Sequence, residues 1–528
     1  MRAMVKFAQL LLLLIPISAS FSLASNQQCK TCKTANVMLA RGGSQLTRER
    51  SSGTKDSTKL HAADASSTVS LYENANSESR PLRVLFLSAD TGGGHRASAE
   101  SLAKQFLLQF PGSTYELADL WTDHGILPYR TLVNAYKHLS SHPRQWRLFY
   151  WLSNNKLNEI WTNTHSSFFC AKPIRERIKS FEPDVVVSVH PTMNYVPLRQ
   201  TRKISKELGK HIPFFTVVTD LGSAHITWFE KNPDKLYVAS DRLYKCARRW
   251  KGTPEENLVL TGLPIRHGFG MEAEKLGDRT TEAGKAYQRD TKESLGIDSS
   301  KPMVLVMGGG EGVGSLSEIV DQLYAKLTKQ GVDATICVVC GRNEKLLKEL
   351  ATKDWESVLE EDDTKKKGKR GFFKFLKTRK KTNKFIQQAM KRAEETASEP
   401  NGKGNVDVVG LGFITNMPEY MVAADILVSK AGPGTIAEAA AVGLPCMLTS
   451  FLPGQEAGNV DVVLESGFGD YCEDPPQIGT EVGYWLQDAD LMQTMSRAAT
   501  QVGNPYAADD IVRSIGSQTV AWMNLNEK

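Results

Sequence analysis

The sequence predicts an α/β protein with two doubly wound parallel sheets, one in each half of the chain. Short, β-branched apolar runs alternate with helix-like segments from Pro81 onward, as expected for strands that are buried on both faces. A glycine-rich turn follows the first run of each half directly. A polar stretch without a strong strand signal, Met271 to Pro302, separates the halves. Two such halves predict a ligand in the cleft between them, outside the carboxyl ends of the strands.

The predicted strands fall into two sets of five along the chain. The first set is RVLFLS, DVVVSV, FFTVVT, KLYVAS and NLVLTG, and the second is MVLVMG, TICVVC, VDVVGL, DILVSK and PCMLTS. We expect a first domain over 81–285 and a second over 300–505, the latter with a basic insertion at about 360–402. A C-terminal helix over 506–528 is expected to pack back on the first domain.

Composition narrows the class of protein. The 528 residues are 41% hydrophobic and 23% charged, with a net charge of +6. This is the composition of a soluble protein of two or three domains. The charge is modest for the length, and there is no zinc-finger spacing, RNA-binding aromatic motif or basic-zipper pattern. We therefore expect no nucleic-acid partner.

The amino-terminal segment has the composition of a targeting leader. Residues 1–20 have a basic start, an apolar core and small residues at the end, which is typical of a secretory signal peptide. Residues 21–80 are rich in Ser and Thr, and Asn26 to Asp64 holds seven Lys/Arg against three Asp/Glu, a transit-peptide composition. Together they resemble the bipartite leader of plastids with extra outer membranes. The alternative is a secreted protein with a disordered linker.

The eight cysteines do not predict a disulfide framework. Cys29 and Cys32 form a CxxC pair inside the leader. Cys337 and Cys340 form another inside a predicted strand, where residues three apart point to opposite faces. We expect buried thiols in the second pair and no shared metal.

The first glycine turn fits a dinucleotide-binding pattern. Gly92, Gly94 and Ala97 form G-x-G-x-x-A between a strand and a helix, and Asp119 stands 22 residues beyond Ala97. This pattern keeps an NAD-dependent dehydrogenase open as an alternative. His95 argues against it, because a pyrophosphate at that helix start would need bare N–H groups. The helix is predicted to bury one face, formed by Leu102, Ala103, Phe106 and Phe110.

The second half carries a larger polar constellation. A strand leads into a run of small residues that opens a helix, where exposed N–H groups and the helix dipole favour a diphosphate. That run is Ala431, Gly432, Pro433, Gly434 and Thr435. Glu438, one turn into the helix, is placed to accept hydrogen bonds from two ribose hydroxyls. Gln455, Glu456 and Asn459 follow the next strand, and their donors and acceptors suit sugar hydroxyls.

Nine blocks in fixed order carry a specific family resemblance. They are DTGGGHRASAE, HPTMNYVPL, FFTVVTDLGSAHITWF, GLPIR, MGGGEGVG, VVCGRN, GFITNMPEYM, KAGPGTIAEA and PGQEAGNV. From about Leu82 to Met523 the chain resembles the monogalactosyldiacylglycerol synthases, plastid-envelope galactosyltransferases of glycosyltransferase family 28. A more distant relative is the bacterial transferase that adds N-acetylglucosamine to the peptidoglycan lipid carrier. The resemblance implies the GT-B fold, with two Rossmann-like domains facing across a cleft.

The resemblance also implies a reaction and its site. UDP-galactose is the implied donor and 1,2-diacylglycerol the implied acceptor, with inversion to a β-galactolipid. His95 matches the proposed general base. The residues implied for the UDP-sugar are Gly94, Arg266, Gly309, Gly310, Arg342, Gly412, Phe413, Ile414, Ala431 to Thr435, Glu438, Gln455 and Glu456. Those implied for the acceptor or an activating anionic lipid are Pro128, His190, Pro191, Asp220 and Trp228.

Elementary chemistry agrees with the implied base. Histidine is the side chain that titrates nearest neutral pH, and at a helix N-terminus the dipole should lower the pKa of His95. The alternative is a histidine that only caps the helix. The helix dipole and Arg266 would stabilise the leaving UDP, so we expect no cofactor and no metal. The one D-x-D sequence, Asp488 to Asp490, lies in a helical pattern and is a poor metal site.

Three other functions stay open at this stage. They are a related UDP-N-acetylglucosamine transferase, a catalytically silent lipid- or UDP-binding protein, and the dehydrogenase. The resemblance places the protein on a plastid envelope or thylakoid-associated membrane as a peripheral protein, in contact with an anionic lipid such as phosphatidylglycerol, and allows a homodimer. Lys365 to Lys381 holds ten basic residues interleaved with aromatic ones. This segment either docks on the membrane or is a solvated surface loop.

Overall fold

The computed structural model describes residues 80–91, 94–308, 316–366, 383–396 and 402–527. The predicted leader, apart from Arg80, lies outside the described residues. So do Gly92 and Gly93, most of the second glycine turn with Gly309 and Gly310, and most of the basic run.

Six parallel strands form the sheet of the first half. They are β1 (Arg83–Leu87), β2 (Thr114–Ala118), β3 (Val185–Ser188), β4 (Phe214–Val217), β5 (Lys235–Val238) and β6 (Leu258–Leu260). Their order is β2-β1-β3-β4-β5-β6. The strand order reverses between β1 and β3, with Val84 opposite Val185. The carboxyl ends of these two strands mark the switch point where doubly wound sheets bind ligands.

Helices connect these strands and cover both faces of the sheet. They are α1 (Gly94–Gln109), α2 (Leu120–His124), α3 (Leu132–Ser140), α4 (Pro143–Ser153), α5 (Lys156–Phe181), α6 (Tyr195–Leu208) and α7 (Asp241–Lys251). One buried cluster with the strands contains Leu102, Ala103 and Phe106 of helix α1 and also Phe110, which follows the helix directly, as the pattern predicts.

A second parallel sheet of six strands follows the polar stretch. Two helices, α8 (His267–Leu276) and α9 (Glu282–Ser294), occupy most of that stretch. The strands are β7 (Met303–Met307), β8 (Ala334–Val339), β9 (Val406–Leu411), β10 (Ile426–Ser429), β11 (Cys446–Leu448) and β12 (Gly469–Tyr471). Their order is β12-β11-β10-β7-β8-β9. Here the order reverses between β7 and β10, so Gly308 at the end of β7 and the small-residue run after β10 both lie at the switch point of the sheet.

The helices of the second half are mostly those expected from the alternating pattern. They are α10 (Leu316–Lys329), α11 (Glu344–Thr352), α12 (Trp355–Lys366), α13 (Lys384–Thr396), α14 (Met417–Ala423), α15 (Pro433–Ala441), α16 (Ala457–Ser466), α17 (Pro475–Gln487) and α18 (Ala489–Val502). Asp488, from the D-x-D sequence, caps α18 by accepting a hydrogen bond from the Leu491 N–H.

All ten predicted strands are confirmed, and the two sheets are the doubly wound layers that the sequence predicts. The structure adds one outer strand to each sheet, β2 and β12. The prediction missed β12 because its three residues, Gly-Asp-Tyr, include no β-branched side chain. Gly469 is required there, since a Cβ would lie 1.9 Å from the Cys446 carbonyl oxygen.

The last helix, α19 (Ala507–Asn526), lies on the first half rather than the second. Its Ile511 and Ile515 pack with Phe106 of α1 and Val84 of β1 in one buried cluster. Burial of such side chains contributes about 1.5–3 kcal/mol each. The end of the chain therefore ties the second half back to the helix that begins beside His95.

The six described cysteines form no disulfide bonds. Cys337 packs in the cluster on one face of the second sheet and Cys340 in the cluster on the other, which confirms the opposite orientations predicted for them. Within the described ranges, no helix has both the length and the apolar character needed to cross a bilayer.

Candidate active site

His95 lies at the carboxyl end of β1, as the second residue of α1. The side chain is buried, with 6% of the residue exposed. Its ring Nδ1 is 2.6 Å from the Thr219 hydroxyl oxygen, just beyond the end of β4. The rings of His190 and Trp228 flank it, with centroids 5.0 and 5.7 Å away, both at steep angles to it. The imidazole is therefore held on three sides by the first half.

Burial lowers the pKa of His95 to about 4. The sequence predicted a lowered pKa from the helix dipole, so the direction agrees but the cause differs. Removing the ring from water disfavours its charged form, and no nearby anion offsets that cost. His95 is therefore a neutral imidazole at physiological pH, which is the form that accepts a proton.

His190 faces the same pocket from the end of β3. Its Nε2 lies 2.7 Å from the Thr91 hydroxyl oxygen, and its Nδ1 lies 3.0 Å from the Thr192 hydroxyl oxygen. Burial lowers its pKa well below the ordinary value, and the neighbouring His95 lowers it further. Pro191 begins the short 3₁₀ turn that His190 caps. The structure thus brings His190 and Pro191 beside the base, where the sequence placed an acceptor contact.

Asp220 and Trp228 form a buried pair behind the base. The Trp228 indole N–H donates to the Asp220 carboxylate at 2.6 Å, and the indole is fully buried. Burial raises the pKa of Asp220 to about 7; the Trp228 hydrogen bond lowers it, and Glu456 raises it. The implied lipid contact of Trp228 needs correction, because a ring with 0% exposure meets no lipid surface and packs against His95 instead.

The small-residue run of the second half opens helix α15. Gly432 caps the helix and Pro433 is its first residue. The N–H groups of Gly434 and Thr435 belong to the first turn, where intrahelical acceptors are absent. A Cβ at Gly434 would meet nothing within 4 Å, so the approach to this turn is open. The geometry suits a diphosphate at the N-terminus of a nine-residue helix.

Arg266 and Glu438 pair across the two halves. The guanidinium Nε and Nη2 donate to the two carboxylate oxygens of Glu438 at 2.8 and 3.0 Å. Burial raises the pKa of Glu438 and the arginine opposes that rise. The sequence assigned Glu438 to the ribose and Arg266 to the diphosphate. The structure brings both to one place, where the guanidinium carbon of Arg266 also lies 5.0 Å from the centre of the Phe269 ring.

The family resemblance implies Phe413 and Ile414 for the uracil, and both lie just beyond β9. Phe413 is 69% exposed, which is high for a phenyl ring. The guanidinium of Arg342 lies 5.7 Å from the centre of that ring. Ile414 is partly buried against the core of the second half, which anchors the segment that follows Gly412. An exposed ring on an anchored turn is a surface on which a planar base can stack.

The turn after β11 carries the residues implied for galactose. Glu456 is buried, pairs with the Lys430 ammonium at 3.1 Å and accepts from the Leu452 N–H at 2.8 Å. Gln455 presents a side-chain amide oxygen that is buried and finds no hydrogen-bond partner among the described residues. A polar atom in that state costs free energy unless a ligand satisfies it. Gln455 is thus the residue of this turn best prepared for a sugar hydroxyl.

Asn459 has a different position from the one expected. Its side chain is 1% exposed. The amide oxygen accepts from the Gly222 N–H at 2.8 Å, and the amide nitrogen donates to the Ala431 carbonyl at 2.9 Å. Both groups are therefore occupied in joining the two halves, and the interpretation of Asn459 as a sugar contact is corrected.

The two halves touch tightly at this point. A Cβ on Gly222 would lie 2.0 Å from the Gly458 carbonyl oxygen, and a Cβ on Gly458 would lie 2.4 Å from the Gly222 carbonyl group. The Ser223 hydroxyl donates to the Gln455 carbonyl at 2.7 Å. The loop that carries Asp220 and Trp228 is thus in direct contact with the loop that carries Gln455, and we call this contact between the two halves the seam.

Two further sequence-based assignments concern the region that follows β2. Pro128, implied for the acceptor or an anionic lipid, precedes Tyr129, which stacks on Trp121, and its lipid contact stays a prediction. Asp119, the acidic residue of the dinucleotide pattern, caps α2 by accepting from the N–H groups of Trp121 and Thr122. The ribose contact required by the dehydrogenase alternative is thus replaced by a helix cap.

Sequence reasoning missed Thr219, Gly222 and Ser223. Thr219 stands in the quoted block FFTVVTDLGSAHITWF, but as a strand-end threonine it has no chemical signature of its own. The available signal was its position, because residues at adjacent carboxyl ends of a parallel sheet converge. The close glycine contact depends on how the two halves meet.

Comparisons of the sequence with known proteins indicate the family of this chain. The family model described as monogalactosyldiacylglycerol (MGDG) synthase matches residues 95–265, and the glycosyltransferase family 28 C-terminal domain matches residues 355–459. Monogalactosyldiacylglycerol synthase 1, chloroplastic, of Arabidopsis thaliana is 34% identical over 83% of this chain and 71% of its own length. The chloroplastic synthase of Spinacia oleracea is 32% identical over 84% of this chain and 73% of its own length.

Among solved structures, MurG of Acinetobacter baumannii covers 83% of this chain and all of its own, at 15% identity and a TM-score of 0.48. Two doubly wound parallel sheets in one chain are the GT-B architecture implied by the family resemblance. With the synthase relatives matched over more than two thirds of their length, the chain belongs to the monogalactosyldiacylglycerol synthase family.

Proposed function

We propose that this protein transfers galactose from UDP-galactose to the sn-3 hydroxyl of 1,2-diacylglycerol, with inversion at the anomeric carbon. The acceptor oxygen attacks C1 of galactose, the bond from C1 to the diphosphate oxygen breaks, and UDP leaves with the electron pair. The acceptor proton passes to His95. The product is monogalactosyldiacylglycerol, the lipid for which the matched relatives are named.

The observation that carries this proposal is the neutral, buried His95, which packs against Trp228 of the loop that contacts the second half. Its Nδ1 is engaged by Thr219, which leaves Nε2 for the acceptor hydroxyl. A general base contributes about 10²–10⁴-fold to such a transfer. The donor turn around Gln455 lies on the other side of the same seam, joined to it through Ser223. The two substrates therefore meet where the two halves meet.

The developing charge on UDP is stabilised by groups of the chain itself. The first-turn N–H groups of α15 and the guanidinium of Arg266 lie where the diphosphate is proposed to bind. Preorganised donors of this kind act strongly in a site that excludes water. We therefore propose a reaction that requires no metal ion, which retention of activity in EDTA would support. Loss of activity that Mg²⁺ or Mn²⁺ restores would contradict it.

The acceptor is a membrane lipid, so the protein must meet a bilayer surface. Helices α4 and α5 with the preceding segment expose an unusual number of large apolar side chains. They are Leu127, Leu148, Trp151, Leu157, Ile160, Trp161, Phe168 and Phe169, each 40–83% exposed. Exposed basic residues, Arg144, Arg147 and Lys156, stand among them. We propose that this apolar ridge enters the headgroup layer, with the basic residues on anionic lipid such as phosphatidylglycerol.

Contacts lead from the apolar ridge to the base. Phe169 packs on His165, whose ring Nδ1 lies 2.9 Å from the Tyr129 hydroxyl. Tyr129 stacks on Trp121, and the Trp121 indole N–H donates to the Thr192 hydroxyl at 3.0 Å. Thr192 in turn contacts His190, beside His95. We propose that the lipid approaches the base along this side of the first half, with Pro128 near its point of entry.

The relatives are named chloroplastic. We propose peripheral association with a plastid membrane, either the envelope or a thylakoid-associated membrane, after import through the predicted bipartite leader. The predicted homodimer stays a prediction. The basic run Lys365–Lys381 lies largely outside the described residues, and its role in docking stays a prediction.

The deciding experiment is incubation of the enzyme with diacylglycerol and either labelled UDP-galactose or labelled UDP-N-acetylglucosamine, followed by lipid chromatography. A labelled galactolipid from UDP-galactose alone is the expected result. The N-acetylglucosamine alternative is not favoured, since the relatives are named for the galactolipid, and preferential transfer from that donor would overturn the proposal.

The role of the base has its own test. His95→Ala should reduce turnover about 10²–10⁴-fold, with the dissociation constant of UDP nearly unchanged. His211→Ala is a suitable control, because His211 pairs with Asp234 at the amino-terminal end of β4, away from the seam. Near-normal turnover of His95→Ala would assign the base elsewhere.

A further inference from the structure

Histidine catalysis depends on which ring nitrogen carries the proton. A neutral imidazole has one N–H and one bare nitrogen, and only the bare nitrogen accepts a proton from the acceptor hydroxyl. In this site Nδ1 faces Thr219, so Nε2 must be the bare one if His95 is to act as base. Something in the fold has to hold the proton on Nδ1.

The geometry points to Thr219 as a positioning residue that holds His95 in the tautomer protonated on Nδ1, leaving Nε2 free for the acceptor hydroxyl. The inference rests on the proposed role of His95 as base. It assigns to Thr219 no contact with either substrate.

The direction of the hydrogen bonds follows from their count. The Thr219 hydroxyl has one proton and lies 2.6 Å from His95 Nδ1 and 3.4 Å from the Val189 carbonyl oxygen. A carbonyl oxygen only accepts, so the hydroxyl donates to Val189 and accepts from His95 Nδ1–H. If the Thr219 hydroxyl instead donated to His95 Nδ1, the Val189 carbonyl would lose its hydrogen bond from Thr219. Leaving a buried polar group unsatisfied costs about 1–3 kcal/mol.

The surroundings keep this pair in place. Thr219 is 3% exposed, so water does not compete for the contact. His190 and Trp228 flank the imidazole and prevent the ring from turning over. Trp228 is itself held by Asp220 through its indole N–H. The orientation of the ring therefore comes from packing, and the position of its proton from Thr219.

Strand β4, which ends two residues before Thr219, offers a matched control. Thr216 is also fully buried, and its hydroxyl donates to the Asn194 side chain at 3.0 Å. Thr216→Val therefore removes a buried threonine hydroxyl, as Thr219→Val does, without removing a contact to His95. A difference between the two variants reports the contact to the base rather than the general cost of the substitution.

The test combines kinetics with a direct view of the tautomer. Thr219→Val should lower kcat about 10–100-fold, part of the 10²–10⁴-fold effect of a general base, with KM for UDP-galactose within about threefold. Thr219→Ser, which keeps the hydroxyl, should restore kcat to within about threefold, and Thr216→Val should keep a kcat near the wild-type value. Equal losses in Thr219→Val and Thr216→Val, or no recovery in Thr219→Ser, would overturn the inference.

Long-range ¹H–¹⁵N spectra of ¹⁵N-histidine-labelled enzyme give the second readout. The His95 signals, assigned by their disappearance in His95→Gln, should show the proton on Nδ1 in the wild type and a shift towards Nε2 in Thr219→Val. A wild-type proton on Nε2 would refute the role of Thr219 whatever the kinetics show. Full activity in His95→Ala would instead refute the proposed function, so the two failures are distinguishable.

Discussion

The lowered pKa of His95 predicts a specific loss of stability in mild acid. An unfolded histidine titrates near 6.5, whereas burial lowers the pKa of His95 to about 4. A group with a lowered folded-state pKa contributes stability that is present above its unfolded pKa and is lost as the pH falls through the folded pKa. The window for His95 therefore runs from about pH 6.5 down to about pH 4.

The size of the effect follows from that difference. About 2.5 pH units correspond to about 3 kcal/mol at 1.36 kcal/mol per unit. Between pH 7 and pH 5 about 2 kcal/mol of this should already be lost. Since whole domains are stable by only about 5–15 kcal/mol, a change of this size is readily measured.

The assay is urea unfolding of the wild type and His95→Gln at pH 7 and pH 5. The glutamine variant cannot titrate there, so its free energy of unfolding should fall about 2 kcal/mol less than that of the wild type between these pH values. Thr216→Val, which also lacks a buried group but leaves His95 intact, should retain the wild-type dependence. Equal falls in the wild type and His95→Gln would refute the burial argument.

Three further predictions concern the donor, the seam and the membrane. Glu438→Gln should weaken UDP binding about tenfold by calorimetry, because a charged hydrogen bond contributes about 1.5–3 kcal/mol; an unchanged dissociation constant would place the ribose elsewhere. Gly458→Ala should lower kcat at least tenfold, since its Cβ would overlap Gly222. The control Gly402→Ala should keep the wild-type kcat, because a Cβ there meets nothing within 4 Å. Equal kcat values for the two variants would show that the two halves accommodate the extra methyl group without loss of activity. Deleting Lys365–Lys381 should reduce sedimentation with phosphatidylglycerol vesicles, more at low than at high salt; unchanged binding at low salt would leave docking to the apolar ridge.

Much of the architecture could be predicted because it depends on local patterns. The runs RVLFLS and DVVVSV contain four and three consecutive apolar residues, which is typical of a strand buried on both faces. Cys337 and Cys340 were placed on opposite faces by strand periodicity alone, and the structure agrees. The three-residue β12 was missed because its pairing with β11, rather than its composition, makes it a strand.

The site was predictable where a residue type carries its own chemistry. His95, Glu438 and the small-residue run before α15 stand out in the sequence, since histidine, a carboxylate near a helix start and a glycine turn each have few common uses. The sequence left the role of Trp228 open, because a tryptophan in a loop looks the same whether it packs or meets lipid. Only the fully buried ring and its bond to Asp220 distinguish the two.

The sequence by itself determined the two α/β halves, the order of their strands along the chain and the chemical types in the site. Tertiary structure alone decided the partners: Thr219 on His95, Asn459 between Gly222 and Ala431, and burial as the cause of the low pKa of His95. The physical reason is the separation along the chain over which each effect acts. Periodicity and propensity act over a few neighbours, whereas the contact between His95 and Thr219 spans 124 positions and exists only once the sheet has brought two strand ends together.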